Sequence, residues 1–239
     1  MSRASANSNA TNNTFEFDSL QLARNYRKAV AREFAPVLSG TVVELGAGIG
    51  QMGEEFSRPS AVARYVAIEP DPRFHAELRS RLPRADVVQG YLSDLDPSVE
   101  PDAIVSANVF EHIEDHVGEM RRSCERLRPR RGGFAIFVPA RPEIYAPIDK
   151  DMGHYRRYTR PELLRALTEA GFVVERCHYF NAIGYVAWWW MMKARGTRSF
   201  NAGSVGLFDS WIFPPMNWME SRLLRPPIGQ SLVAIASPR

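Results

Sequence analysis

A run of alternating glycines directly after a short apolar strand leaves a chain few choices of fold. The segment Thr41-Val42-Val43-Glu44-Leu45 reads as a buried strand, and Gly46-Ala47-Gly48-Ile49-Gly50 follows it without a spacer. Glycine in such a place admits a tight turn at positive φ and lets a ligand approach the backbone. Strand–glycine loop–helix units of this kind occur in open α/β sheets, which collect ligands at the carboxyl ends of their strands. Some such turns bind nothing, so the loop needs support from elsewhere in the chain. Two acidic residues supply it. Glu44 comes directly before the run. Glu69 ends the next strand, about 20 residues on, where a carboxylate can accept hydrogen bonds from both ribose hydroxyls.

The rest of the chain repeats the alternation. Apolar residues recur at helical spacing from Phe15, predicting an N-terminal helix over 15–38. Strands are expected at 41–45, 63–69, 86–90, 102–108, 132–140, 172–180 and 231–237, with helices at 71–82, up to about 127 and at 161–170. This order implies a Rossmann-like α/β fold, a mostly parallel seven-stranded sheet with helices on both faces. Residues 1–14 read as a disordered polar tail, and 15–239 as one domain, long enough to bury a full core. Residues 181–227 are dense in tryptophan, phenylalanine, methionine and proline with little periodicity. They read as an insertion before the last strand, packed over one end of the sheet.

A net charge of +3 with dispersed basic residues gives no reason to expect nucleic acid. Cys124 and Cys177 are expected as buried reduced thiols with no metal spacing, and no metal is expected elsewhere. The N-terminal segment lacks an apolar core of the secretory type, and the apolar stretch around Trp188–Met192 is too short to span a bilayer. A cytoplasmic protein with no integral membrane segment is the expectation.

Taken together, the Glu-x-Gly-x-Gly-x-Gly run, Glu69, Asn108-Val109-Phe110-Glu111-His112-Ile113, Gly153-His154-Tyr155-Arg156-Arg157-Tyr158-Thr159 and the closing segment 226–236 resemble class I S-adenosylmethionine (SAM)-dependent methyltransferases. The resemblance is to a subgroup of glycan and natural-product methyltransferases that includes azetidine-2-carboxylate synthases. It implies SAM as cofactor, with Gly46, Gly48 and Gly50 along its methionyl and ribose portion. Glu44 would then lie near the amine, Glu69 at the ribose, Tyr91 and Leu92 beside the adenine and Asn108 at the aminobutyrate. Tyr26, Ala47 and Val109 complete the implied set. For Tyr91 and Leu92, plain core packing is the alternative. A departure is Arg128-Pro129-Arg130-Arg131-Gly132-Gly133, where a proline-glycine-glycine turn is more usual in the family.

On the substrate side, His112 can serve as a general base, or only support the cofactor loop. Tyr145 is expected to point its phenol over the strand ends, with ordinary packing as the alternative. Arg156 and Arg157 can hold an anion, or latch onto Asp149 and Asp151. The aromatic insertion can be a lid over a sulfonium, a dimer surface or a membrane-surface patch. The expected activity is methyl transfer to a small acceptor in secondary metabolism or glycan biosynthesis, with Asn108, Tyr145 and His112 as catalytic candidates. The alternatives are cyclisation of SAM to azetidine-2-carboxylate with release of methylthioadenosine, and a non-catalytic partner protein.

Overall fold

Val42 and Val43 are both fully buried, as are Ile104 and Val105, and Phe134 and Ala135. Consecutive strand residues face opposite ways, so a strand buried at every position must carry a layer of helices on each side. The computed structural model, which describes residues 21–190, 202–223 and 225–239, has that arrangement. The expected tail 1–14 and the start of the N-terminal helix lie outside the described residues.

Seven strands form one sheet: β1 (Gly40–Leu45), β2 (Val62–Glu69), β3 (Asp86–Gln89), β4 (Ala103–Ala107), β5 (Gly133–Pro139), β6 (Phe172–Phe180) and β7 (Ser231–Pro238). Their order is β3-β2-β1-β4-β5-β7-β6. The pairs among β1 to β5 are parallel, while β7 runs antiparallel to both β5 and β6. One face packs Val43, Ile104 and Ile136 against α4 (His116–Leu127) and α6 (Arg160–Glu169). The other packs Val42, Val105 and Phe137 against α1 (Arg24–Phe34), the single turn α2 (Gly53–Phe56) and α3 (His75–Arg81).

The helix ends follow local chemistry. Asp115 opens α4 by accepting from the Gly118 N–H at 3.0 Å. Thr159 and Glu162 form a reciprocal capping box at the start of α6. Arg131, at the point where the family's turn usually has glycine, takes a left-handed conformation at φ 50. It is exposed, and the strain costs on the order of 1–2 kcal/mol.

The insertion is largely helical in its described part despite the weak periodicity of its sequence. Its described part forms α7 (Ala182–Trp188), α8 (Ala202–Leu207), a π-helical stretch Phe208–Ile212 and α9 (Phe213–Arg222). Phe213 packs against Tyr26 and Phe180, and buried Asp209 accepts from the backbone N–H groups of Asn25 and Tyr26, each at 2.9 Å. The insertion is thereby fastened to α1, at the carboxyl end of the sheet. A short α5 (Pro147–Asp151) fills the loop after β5.

Candidate active site

The strand order reverses at β1, whose neighbours β2 and β4 lead to opposite edges, and a crevice opens there above the strand ends. A cavity of about 750 Å³ occupies it. Gly46 at φ +67 and Gly50 at φ +86 hold conformations that side chains rarely adopt. A Cβ on Gly46 would also lie 2.5 Å from Val109 Cγ2. The two loops that follow β1 and β4 can approach this closely only with glycine at 46.

Glu69 ties the glycine loop to the end of β2. Its two oxygens accept from the N–H groups of Gly48 and Asp71, both at 2.8 Å. Burial raises its pKa, an effect that these backbone hydrogen bonds partly oppose. Glu44 sits deeper. The Tyr65 hydroxyl donates to it at 2.8 Å, and burial, joined by the charge of Glu69, pushes its pKa up to about 8. At neutral pH Glu44 is therefore mostly protonated, a store of one acidic proton on the wall of the crevice.

Of the residues expected at the cofactor, Glu44, Gly46, Ala47, Gly48, Glu69, Tyr91, Leu92, Asn108 and Val109 line this cavity. Leu92 is buried, whereas Tyr91 is 66% exposed and free to cover a flat ligand. Gly50 shapes the turn behind the cavity wall. Tyr26 differs from the expectation: it lines a second, more apolar cavity of about 480 Å³ beneath the insertion. Its ring is held there by Phe137, Phe180 and Phe213.

The two cavities meet at Asn108 and Met152, which line both. Asn108 directly follows β4 and takes a left-handed backbone at φ 55, a conformation that asparagine tolerates better than most residues. His112 lines the crevice. Burial, then the adjacent His154, lowers its pKa to about 4, so it is a neutral imidazole at physiological pH. That makes it a weaker proton acceptor than its residue type suggests.

Tyr145 also differs from the expectation. Its hydroxyl donates to the His154 carbonyl at 2.8 Å, and the residue lines neither cavity. Tyr145 follows the turn Pro142–Ile144 and holds the loop at His154 instead of facing a cavity. Of the two arginines, Arg157 makes the expected latch to an acidic residue, and Arg156 is used on backbone carbonyls instead. Arg157 donates to buried Asp149 through Nε at 2.8 Å, with a second nitrogen at 2.7 Å, and lies over the Trp188 ring at 4.6 Å. Arg156 donates to the carbonyls of Phe110, Ile113 and Glu114, closing this segment over the turn after β4.

The second cavity gathers residues that the sequence keeps far apart. Glu111, His154, Arg157, Asn181, Trp188 and Asp209 converge on the second cavity from four separate segments. Trp188 is nearly buried and donates from Nε1 to the Ile144 carbonyl at 3.1 Å. Trp211 on the outer side of the insertion is 76% exposed. Among the described residues, no helix is long and apolar enough to cross a membrane.

Comparison with known proteins gives the same direction. The family model described as a methyltransferase domain matches residues 18–176. A Mycobacterium tuberculosis protein named as a probable S-adenosylmethionine-dependent methyltransferase is 32% identical over 145 residues, 59% of this chain and 52% of that protein. A Mycolicibacterium smegmatis protein of the same description is 30% identical over 137 residues, 56% of this chain and 52% of its own length. The chain thus spans about half the length of the curated relatives it matches. The solved structure of an S-adenosylmethionine-dependent methyltransferase from Mesorhizobium loti superposes with a TM-score of 0.53 at 16% identity, covering 87% of this chain and 95% of that one. At that identity the likeness speaks for the fold, and it agrees with the sheet order and the crevice at β1 and β4. With about two thirds of its length matched by the family model, the chain belongs to the methyltransferase-domain family and has the class I methyltransferase fold.

Proposed function

We propose that the glycine crevice binds S-adenosylmethionine and that the chain transfers its methyl group to a small acceptor held in the adjoining apolar cavity. The carrying observation is that the two cavities meet at Asn108 and Met152. A cavity of about 750 Å³ that combines apolar walls with polar groups such as Glu44, Glu69 and Asn108 suits a nucleoside-sized ligand. The residues fit the group: Glu69 offers its remaining acceptor positions to ribose hydroxyls, Glu44 faces the amino-acid ammonium, and Tyr91 and Leu92 border the adenine. When bound, SAM supplies an electrophilic methyl group on a sulfonium.

The protein's own contribution is alignment and desolvation, which suffice for an in-line displacement. Asn108 orients the groups at the junction, and Trp188 and the insertion exclude water. An acceptor with an apolar body and one nucleophilic oxygen, nitrogen or carbon matches the second cavity, as in secondary metabolism or glycan biosynthesis. The aromatic cover favours a second reading, intramolecular cyclisation of SAM, but a separate 480 Å³ cavity is volume that cyclisation does not need.

The test is calorimetric titration of SAM, followed by incubation with SAM alone and mass spectrometry. Micromolar binding that Glu69→Ala weakens by two or more orders of magnitude is expected, since each lost charge-assisted hydrogen bond costs about 1.5–3 kcal/mol. Equal affinity in that variant would overturn the cofactor assignment. Methylthioadenosine with a cyclic amino acid, formed without any acceptor, would replace methyl transfer by cyclisation.

A further inference from the structure

Glu111 and His112 lie in the 3-10 turn just after β4, and His154 lies in the loop between α5 and α6. One ligand atom from each residue lies within 4.8 Å of the other two. The two imidazoles meet edge to face at 4.6 Å, Glu111 is fully buried and His154 nearly so. Donors of a tetrahedral centre with bonds of about 2.0–2.2 Å stand roughly 3.3–3.5 Å apart. The longest side of the triangle therefore has to contract by up to about 1.4 Å for a tetrahedral ion to bind.

The outer partners give an independent pointer. His154 Nδ1 is 3.1 Å from Asp149 Oδ1, and Asp149 is itself fixed by Arg157 and by the Ala146 N–H at 2.8 Å. A carboxylate that accepts from Nδ1 places the imidazole lone pair on Nε2. His112 in turn is hydrogen-bonded to the Gly153 backbone. Histidines that hold metal ions are oriented in this way, one nitrogen committed to a carboxylate or carbonyl and the other presented as ligand. Two imidazoles and one carboxylate form a borderline donor set, suited to divalent ions from manganese to zinc. Glu111 and His154 line the acceptor cavity and His112 lines the crevice, so the three donors bracket the junction between them.

We propose that Glu111, His112 and His154 bind one divalent transition-metal ion, with its open positions facing the acceptor cavity. This departs from the expectation of a metal-free protein. In the methyl-transfer reading, on which only the ion's role depends, it would coordinate the acceptor's hydroxyl or amine. Coordination would make the donor atom's proton easier to lose, to water or buffer, before that atom forms its bond to the methyl carbon. As that bond forms, the sulfonium–methyl bond breaks and its electron pair stays on sulfur as the leaving thioether.

The experiment uses tag-free protein stripped with a chelator and titrated with Co²⁺, read by visible absorption and elemental analysis. One equivalent of cobalt with d–d bands is expected, displaced by Zn²⁺. Glu111→Gln and His154→Asn should each weaken binding by at least about tenfold while the near-ultraviolet circular dichroism stays native. His154→Cys, if it retains cobalt, should add a sulfur-to-cobalt charge-transfer band that a purely structural histidine could not give. No cobalt uptake by the parent protein, or equal uptake by parent and Glu111→Gln, would overturn the site. SAM binding is measured on the same samples. Intact SAM binding without cobalt uptake removes only the metal, and cobalt uptake without SAM binding removes only the cofactor reading.

Discussion

Replacing Glu44 with glutamine should make the ligand-free protein more stable while weakening its hold on SAM. Glu44 is 2% exposed, and burial raises its pKa from 4.5 to about 8. Between those values the native state keeps a proton that the unfolded chain has released. Stability therefore falls as pH rises through this window, from no cost below 4.5 to the full cost above about 8. Each pH unit crossed within the window costs about 1.4 kcal/mol, so at pH 7 the cost is on the order of 3 kcal/mol. Glutamine has no such proton and still accepts from the Tyr65 hydroxyl, but its amide N–H₂ lacks the partners to satisfy it, which returns about 1–2 kcal/mol. A net gain of roughly 1–2 kcal/mol corresponds to a melting temperature higher by a few degrees for a domain of this size. The assay is thermal or urea unfolding of both proteins at pH 5, 7 and 8 without ligand. The stability difference should widen with pH. Calorimetry at pH 7 in buffers of different ionisation enthalpy should show the parent releasing protons on binding SAM, up to about one, because an ammonium beside Glu44 favours the carboxylate. Glu44→Gln should release none through this route and bind at least about tenfold more weakly. A difference in stability that stays flat from pH 5 to 8 would refute the reasoning.

Gly46→Ala should lower stability by about 1–3 kcal/mol, from its positive φ and the contact with Val109, and reduce SAM affinity. Melting curves of Gly46→Ala and Gly46→Ala/Val109→Ala separate the two causes, since the second change relieves only the contact. Asp149→Asn should cost about 3–5 kcal/mol by leaving Arg157 buried without its charge partner, as read by urea unfolding. Burial alone would raise the Asp149 pKa, but the hydrogen bond with His154 and the charge of Arg157 hold it below the usual value. Its stabilising contribution is therefore complete above the ordinary aspartate range and is lost as pH falls through the lowered value, so an acid titration of the parent should show that loss and Asp149→Asn should not. Asp209→Ala should free the insertion from α1, seen as faster hydrogen exchange over residues 202–223 with β1 to β4 unchanged.

The parallel half of the fold was legible because its strands are buried at nearly every position and its loops carry marked residues. The capping box of Thr159 and Glu162 and the Gly46 turn are written in adjacent residues. The direction of β7 was not legible, since Ser231-Leu232-Val233-Ala234-Ile235-Ala236 pairs equally well either way and only the path of the insertion decides. Part of the crevice lining was named in advance because it lies at or just after the ends of β1 to β4, whereas Glu119, Arg122 and Met152 reach it from α4 and the end of α5. The second cavity was not legible. Tyr26 owes its place to Asp209, 183 positions away, and His154 owes its orientation to Asp149, a contact that depends on how α5 closes the loop. Tyr145 looks well placed because it lies just past β5, but its hydroxyl donates to the His154 carbonyl instead.

The place of β7 between β5 and β6 sets an order of assembly. Among the described residues β6 lies at the sheet's edge and pairs with β7 alone, so residues 172–180 have no strand to join until 231–238 slot in. The crevice is built from β1 to β4 and needs none of this. The second cavity does, since Gln230 and Ser231 form part of its wall. A nascent or partly unfolded chain can thus hold a nearly formed glycine crevice while the second cavity is still open to water. Ligand captured at that stage would favour the ordered half of the sheet and give the late-arriving strand a ready-made template.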